Sequence, residues 1–175
     1  QLNMNSQLVA VGVSLPLIIG YNAKLKNFPL IGNIVVALIL SLSFIYAGFV
    51  FDNIKPLIIP ALLAFGLTLI REIVKDMADV IGDKAVALKT FPIIYGENKT
   101  IVLCTTLSAL LGIGSFVPFI TGYYNIFYGI LLILTVEIPL AVVVILLLNK
   151  PSIATAKRSA KLLKFSTLGG LFSIY

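Results

Sequence analysis

Residues 71 to 83, REIVKDMADVIGD, follow fourteen almost unbroken apolar residues and place four acids and two bases in thirteen positions. At 100° per residue, Glu72, Asp76, Asp79 and Asp83 fall within an arc of about 60°, so a helix through this stretch presents all four on one face. Gly82 is the point where such a helix would break, which makes Asp83 its marginal member. Four carboxylates so close repel one another unless a cation sits among them. Carboxylates without His or Cys suit hard cations, Mg²⁺ in particular, which is commonly held by one or two carboxylates while substrate phosphates and water complete its octahedron. Arg71 and Lys75 flank the same face as counter-charges for such a phosphate. The bland alternative is a solvated helix end with local acid–base pairs. It gives no reason for sorting acids to one side and bases to the next beside an apolar segment.

The rest of the composition excludes much other chemistry. The 175 residues contain no histidine and one cysteine, Cys104, which lies inside an apolar segment and reads as packing. Metal sites built on His, His-assisted nucleophiles, thiolate zinc sites and disulfide frameworks are thereby removed. What remains is carboxylate, Lys, Arg, Tyr and backbone.

The element that carries the acids belongs to a membrane. Apolar residues make up 59% and charged residues 11% of the chain, far from an ordinary soluble domain. Crossing a bilayer takes roughly 20 helical residues, and residues 31 to 51, 101 to 120 and 126 to 148 satisfy this. A fourth segment runs from about Leu57 into the charged stretch with Pro60 inside it, a fifth covers residues 8 to 20, and a sixth begins near Leu162. The predicted fold is all-α, a polytopic transmembrane helix bundle forming a single domain over residues 1–175. If residues 21 to 30, 71 to 99 and 149 to 164 share one side, that side holds twelve of the thirteen bases and only Lys55 is left for the other. By the positive-inside rule the acidic stretch faces the cytoplasm. The net charge of +6 is then topological and close to membrane lipid headgroups, and no nucleic-acid partner is expected.

The acidic stretch, followed by Lys89, Thr90 and Pro92 in KTFPIIYG, resembles the second aspartate-rich motif of the UbiA-type intramembrane prenyltransferases. It is most similar to the branch that makes archaeal-type ether lipids by moving a geranylgeranyl group onto geranylgeranylglyceryl phosphate. YNAKLKNFPLIGN, residues 21 to 33, is similar to the Tyr, Lys and Gly-Asn pattern of the family's preceding cytoplasmic loop, and NKPSIATAKRSAKLLK, residues 149 to 164, to its basic tail. The first match is specific, and the other two would be weak alone.

The resemblance implies about nine helices around a cavity, of which about six are visible. It also implies two aspartate motifs, each holding one Mg²⁺ against a prenyl diphosphate. The first motif and about three N-terminal helices are expected to lie outside this sequence, since its remaining acids, Asp52, Glu97 and Glu137, do not cluster. By the same resemblance Asp76, Asp79 and Asp83 would be the metal ligands, with Glu72 accessory to them. Lys26, Arg71 and Lys75 would clamp the diphosphate, and Tyr21 and Asn33 would line its pocket. The partners are a prenyl diphosphate and a lipid acceptor, with an aromatic acceptor as the alternative. Outside this chemistry stand an ion-binding carrier, with charges in discontinuous helices near the midplane, and a non-catalytic membrane subunit.

Several of these residues have ordinary roles too. Lys26 suits a topological base, Tyr21 an aromatic belt and Asn33 a helix cap, while Thr90 and Pro92 are expected to shape their loop and leave substrate untouched. Glu137 lies midway along an apolar segment, where a carboxyl is expected to be protonated and to face a cavity or partner; Pro139 is expected to kink that helix. Gly112, Gly114, Gly169 and Gly170 read as close helix contacts. Residues 84 to 98 form the one long connection, expected to cap the cavity when substrate binds.

Overall fold

The computed structural model describes residues 3–173, and the regular secondary structure over them is all helical. Seven helices follow in order: α1 Met4–Ala23, α2 Ile31–Val50, α3 Lys55–Ala85, the short α4 Phe91–Tyr95, α5 Glu97–Ile120, α6 Ile126–Asn149 and α7 Ile153–Ser173. Among the described residues five helices are long and apolar enough to cross a membrane: α1, α2, α3, α5 and α6.

Two boundaries differ from expectation for a local reason. The first helix starts at Met4 rather than residue 8 because Asn3 caps it, its side chain accepting from the Ser6 N–H at 2.8 Å. The polar residues that hide this turn in a hydropathy reading are its cap. The last helix starts at Ile153, well before Leu162, with Ser152 Oγ accepting from Thr155 N–H at 3.1 Å. Its first three turns carry Lys157, Arg158, Lys161 and Lys164 outward while Ala156, Ser159 and Leu163 are buried. Those bases keep α7 outside the five spans.

The bundle is organised around α3, which packs on α2, α5 and α7. Ile70, Ile73, Val74, Met77 and Ala78 of α3 are buried, and on a helical wheel they lie roughly opposite the row of acids. The end of α3 therefore has one face in the core and another free for polar work. α3 is continuous through Gly82 and Asp83 to Ala85. The expected break at Gly82 does not occur, and Asp83 stays in the row.

Proline effects are compensated by contacts from neighbouring helices. Pro139 has no N–H for the carbonyl of residue 135, and Ser166 Oγ of α7 donates to that Thr135 carbonyl at 2.7 Å. Directly before the proline, Ile133–Glu137 forms a π-helical turn, with Ile138 N–H bonded to the Ile133 carbonyl. Gly169 permits the approach, since a Cβ there would lie 2.5 Å from Thr135. Gly112 does the same for Glu137, at 2.8 Å from a carboxyl oxygen, whereas the space around Gly114 is open, contrary to expectation. Cys104 is fully buried in the core.

Candidate functional site

At one end of α3 the four acids face a shared cavity of about 140 Å³. Its lining includes Tyr21, Lys26, Gly32, Asn33, Glu72, Lys75, Asp76, Asp79, Asp83 and Thr90. Residues from the end of α1, the Leu25–Asn27 turn, the start of α2, the end of α3 and the connection to α4 thus meet in one place. Gly32 lets them do so: a Cβ there would come 3.3 Å from the Lys26 backbone and 3.6 Å from the Tyr21 ring. Even a Cβ there would require the Lys26 backbone to give by a few tenths of an ångström.

Individual placements refine the expected roles. Asn33 is not a helix cap, since Leu30 occupies that position. Its amide reaches across to α3 and donates to Asp76 Oδ2 at 2.8 Å. Asn33 is 8% exposed, so this bond between two cavity-lining residues is shielded and restrains the Asp76 carboxylate. Glu72 is already matched by bases: Arg71 donates to Oε1 at 2.6 Å and Lys75 Nζ lies 3.7 Å from Oε2. Arg71 is not among the cavity-lining residues. Its guanidinium lies against the Glu72 carboxylate. Lys75 is half-exposed and does line the cavity, as does Lys26. Thr90, expected only to shape its loop, also faces it.

The donor set consists of hard oxygen atoms on one wall with ammonium groups beside them. Among the described residues no three acidic or thiol side chains converge closely enough to make a ready cation cage. Asp76, Asp79 and Asp83 share a cavity without sharing a point. That arrangement fits an ion held by one or two carboxylates and completed by phosphate and water. It does not fit an all-protein cage.

Farther along α2 and α3, on the core side of α3, is a second, apolar chamber of about 310 Å³. It is lined by Leu40, Ser43 and Phe44 of α2, Pro60, Leu63, Ala64 and Leu67 of α3, and residues of α5, α6 and α7. The two spaces follow the same pair of helices. Val36 lines the mouth and Leu40, one turn on, lines the chamber; Leu67 is separated from Asp76 by roughly 13 Å of helix rise. An amphipathic molecule with an anionic head and an apolar tail matches this sequence of surroundings.

Glu137 lies elsewhere. Its Oε1 is 2.7 Å from Ser115 Oγ, and Gly112 sits against its other oxygen. The groove it lines with Ser108, Phe116 and Leu140 is mostly apolar, with Thr105 its other polar member.

An uninterrupted helix that carries acids beside bases at the mouth of a cavity within an apolar helical bundle is the arrangement to compare with known membrane proteins. The chain belongs to the UbiA prenyltransferase family, whose model matches residues 1–168. A digeranylgeranylglyceryl phosphate synthase of Saccharolobus solfataricus is 40% identical over 98% of this chain and 60% of its own length. One of Methanothermobacter thermautotrophicus is 34% identical over 90% of this chain and 55% of its own. A solved structure from work on digeranylgeranylglyceryl phosphate synthase in membranes superimposes with a TM-score of 0.88 at 30% identity, covering 99% of this chain and 61% of that one. The chain thus spans somewhat over half the length of the relatives it matches.

Proposed function

We propose that this chain carries the second aspartate-motif half of a Mg²⁺-dependent prenyltransferase. Such an enzyme moves a geranylgeranyl group from its diphosphate to geranylgeranylglyceryl phosphate, with the site facing the cytoplasm. The observation that carries the reading is the gathering of Asp76, Asp79 and Asp83 with Lys26 and Lys75 around one cavity at the end of α3; an apolar chamber farther along α2 and α3 is large enough to take part of an isoprenoid tail. The names of the relatives supply the acceptor.

In this reading the mouth takes the diphosphate and the chamber takes the isoprenoid tail. Asp76, Asp79 and Asp83 would hold Mg²⁺, which when bound supplies charge neutralisation for the departing diphosphate. Asn33 keeps the Asp76 carboxylate in one orientation, so that no reorganisation is needed as charge develops. Lys26 and Lys75 pair with phosphoryl oxygens, while Arg71 acts through Glu72. Tyr21 closes the side of the mouth. The C–O bond between the allylic carbon and the diphosphate breaks with its electron pair going to the leaving oxygen. The acceptor hydroxyl then forms the ether bond to that carbon and releases its proton. The surrounding helices exclude water, which would otherwise compete for the carbocation.

The test is a comparison of products. Membranes containing the protein are supplied with geranylgeranyl diphosphate, Mg²⁺ and either geranylgeranylglyceryl phosphate or a hydroxybenzoate-type aromatic acceptor. A mass increase of one C20 unit on the glyceryl phosphate alone is expected; prenylation of the aromatic acceptor alone would overturn the assignment.

A further inference from the structure

We propose that the Thr90 hydroxyl is a diphosphate-binding group, donating a hydrogen bond to a phosphoryl oxygen of the ligand in the carboxylate cavity; this rests on the reading of that cavity given above. Thr90 occupies the N-cap position of α4 with extended backbone, φ −71° and ψ 159°. A threonine there ordinarily uses its hydroxyl to accept from the second or third N–H of the helix. Neither is available to it here. The second residue is Pro92, which has no N–H, and the Ile93 N–H is bonded to Thr90's own carbonyl at 3.1 Å. The hydroxyl makes no capping bond.

It is nonetheless buried. Thr90 is 9% exposed, and its Oγ1 has no hydrogen-bond partner of ordinary geometry, although the Asp83 carboxylate is close enough to interact with it. Buried hydroxyls without partners are uncommon and unfavourable, and this one lines the same cavity as Lys26, Asp76 and Asp79.

Its position is fixed by the chain around it. The N–H groups of Val86, Ala87 and Leu88 bond back to the carbonyls of Gly82, Lys84 and Asp83 at 3.3, 3.2 and 2.9 Å. Ala87 adopts φ +56°, a left-handed conformation that residues with a Cβ rarely take and that is maintained only where the surroundings enforce it. The connection is thus folded back over Asp83, and it brings Thr90 to the mouth. A diphosphate carries only acceptor oxygens. A neutral hydroxyl adds a donor beside the acidic wall without adding charge, complementing the ammonium groups of Lys26 and Lys75.

The test separates binding of phosphate from binding of metal. The protein in lipid nanodiscs is titrated with inorganic pyrophosphate plus Mg²⁺ by calorimetry, and with Mn²⁺ alone by electron paramagnetic resonance. Thr90→Val is expected to weaken pyrophosphate binding roughly ten- to hundredfold, the range for a hydrogen bond to a charged group. Mn²⁺ affinity is expected to stay unchanged and Tm to hold or rise, because an unsatisfied hydroxyl has been removed. Thr90→Ser is expected to restore binding to within a few fold, and Thr90→Ala carries the same test if the valine variant misfolds. Unchanged pyrophosphate affinity in the folded Val or Ala variant overturns the proposal, as does a parallel loss of Mn²⁺ affinity. Failure of the cavity reading itself looks different: the unmodified protein would then bind no pyrophosphate, which sinks both.

Discussion

Two carboxylate environments in this bundle differ in what surrounds the acid. At the end of α3, Asp76 has one oxygen held by Asn33 at 2.8 Å. It shares a cavity with Asp79, Asp83 and two lysines. In the middle of α6, Glu137 stands alone, with Ser115 at 2.7 Å from one oxygen and Gly112 against the other. Burial alone does not distinguish them. Each carboxyl has one hydrogen-bonded oxygen; the difference is the neighbouring charge, since the mouth gathers further carboxylates whose repulsion favours a bound cation, whereas Glu137 is the one charged residue lining its groove.

This comparison can be broken or sharpened in order of effect. Chelating divalent cations is expected to take prenyl transfer below detection, with millimolar Mg²⁺ restoring it and Tm little changed. Retained activity in chelator would remove the reason for the sorted acids. Asn33→Leu is expected to lower kcat about tenfold by freeing the Asp76 carboxylate to reorient, since supporting hydrogen bonds to metal-binding groups are typically worth 10–100-fold. An unchanged rate would reduce Asn33 to packing. Glu137→Ala is expected to cost only about 1–2 kcal/mol in a denaturation series, the scale of an interhelical hydrogen bond in a membrane, while the rate of the folded fraction holds. A rate loss without a stability loss would make Glu137 a member of the site.

The same contrast explains what could be read from the sequence. The acid row was legible because helical periodicity alone puts Glu72, Asp76, Asp79 and Asp83 on one face, and α3 proved continuous through all four. Lys26 and Tyr21 were legible only through resemblance. Their approach to α3 depends on Gly32, whose missing Cβ leaves the room. Asn33's partner was not legible, since a contact across 43 residues leaves no local pattern. Arg71's pairing with Glu72 was not legible, because spacing along the helix does not reveal which acid a flanking base will engage. Thr90 was hidden for the opposite reason. An N-cap threonine normally has an ordinary explanation, and only the structure shows that Pro92 and the Thr90 carbonyl remove it. The start of α7 was missed because its exposed bases mask a buried stripe of Ala156, Ser159 and Leu163.

The most direct measurement is turnover of geranylgeranyl diphosphate by folded Asp76→Asn plus Asp79→Asn protein beside folded Glu137→Gln protein, read as product mass per unit enzyme. The account predicts loss of at least about a thousandfold in the first, on the scale of removing charge stabilisation from a transition state, and near-normal turnover in the second. Equal activity in the two would contradict it.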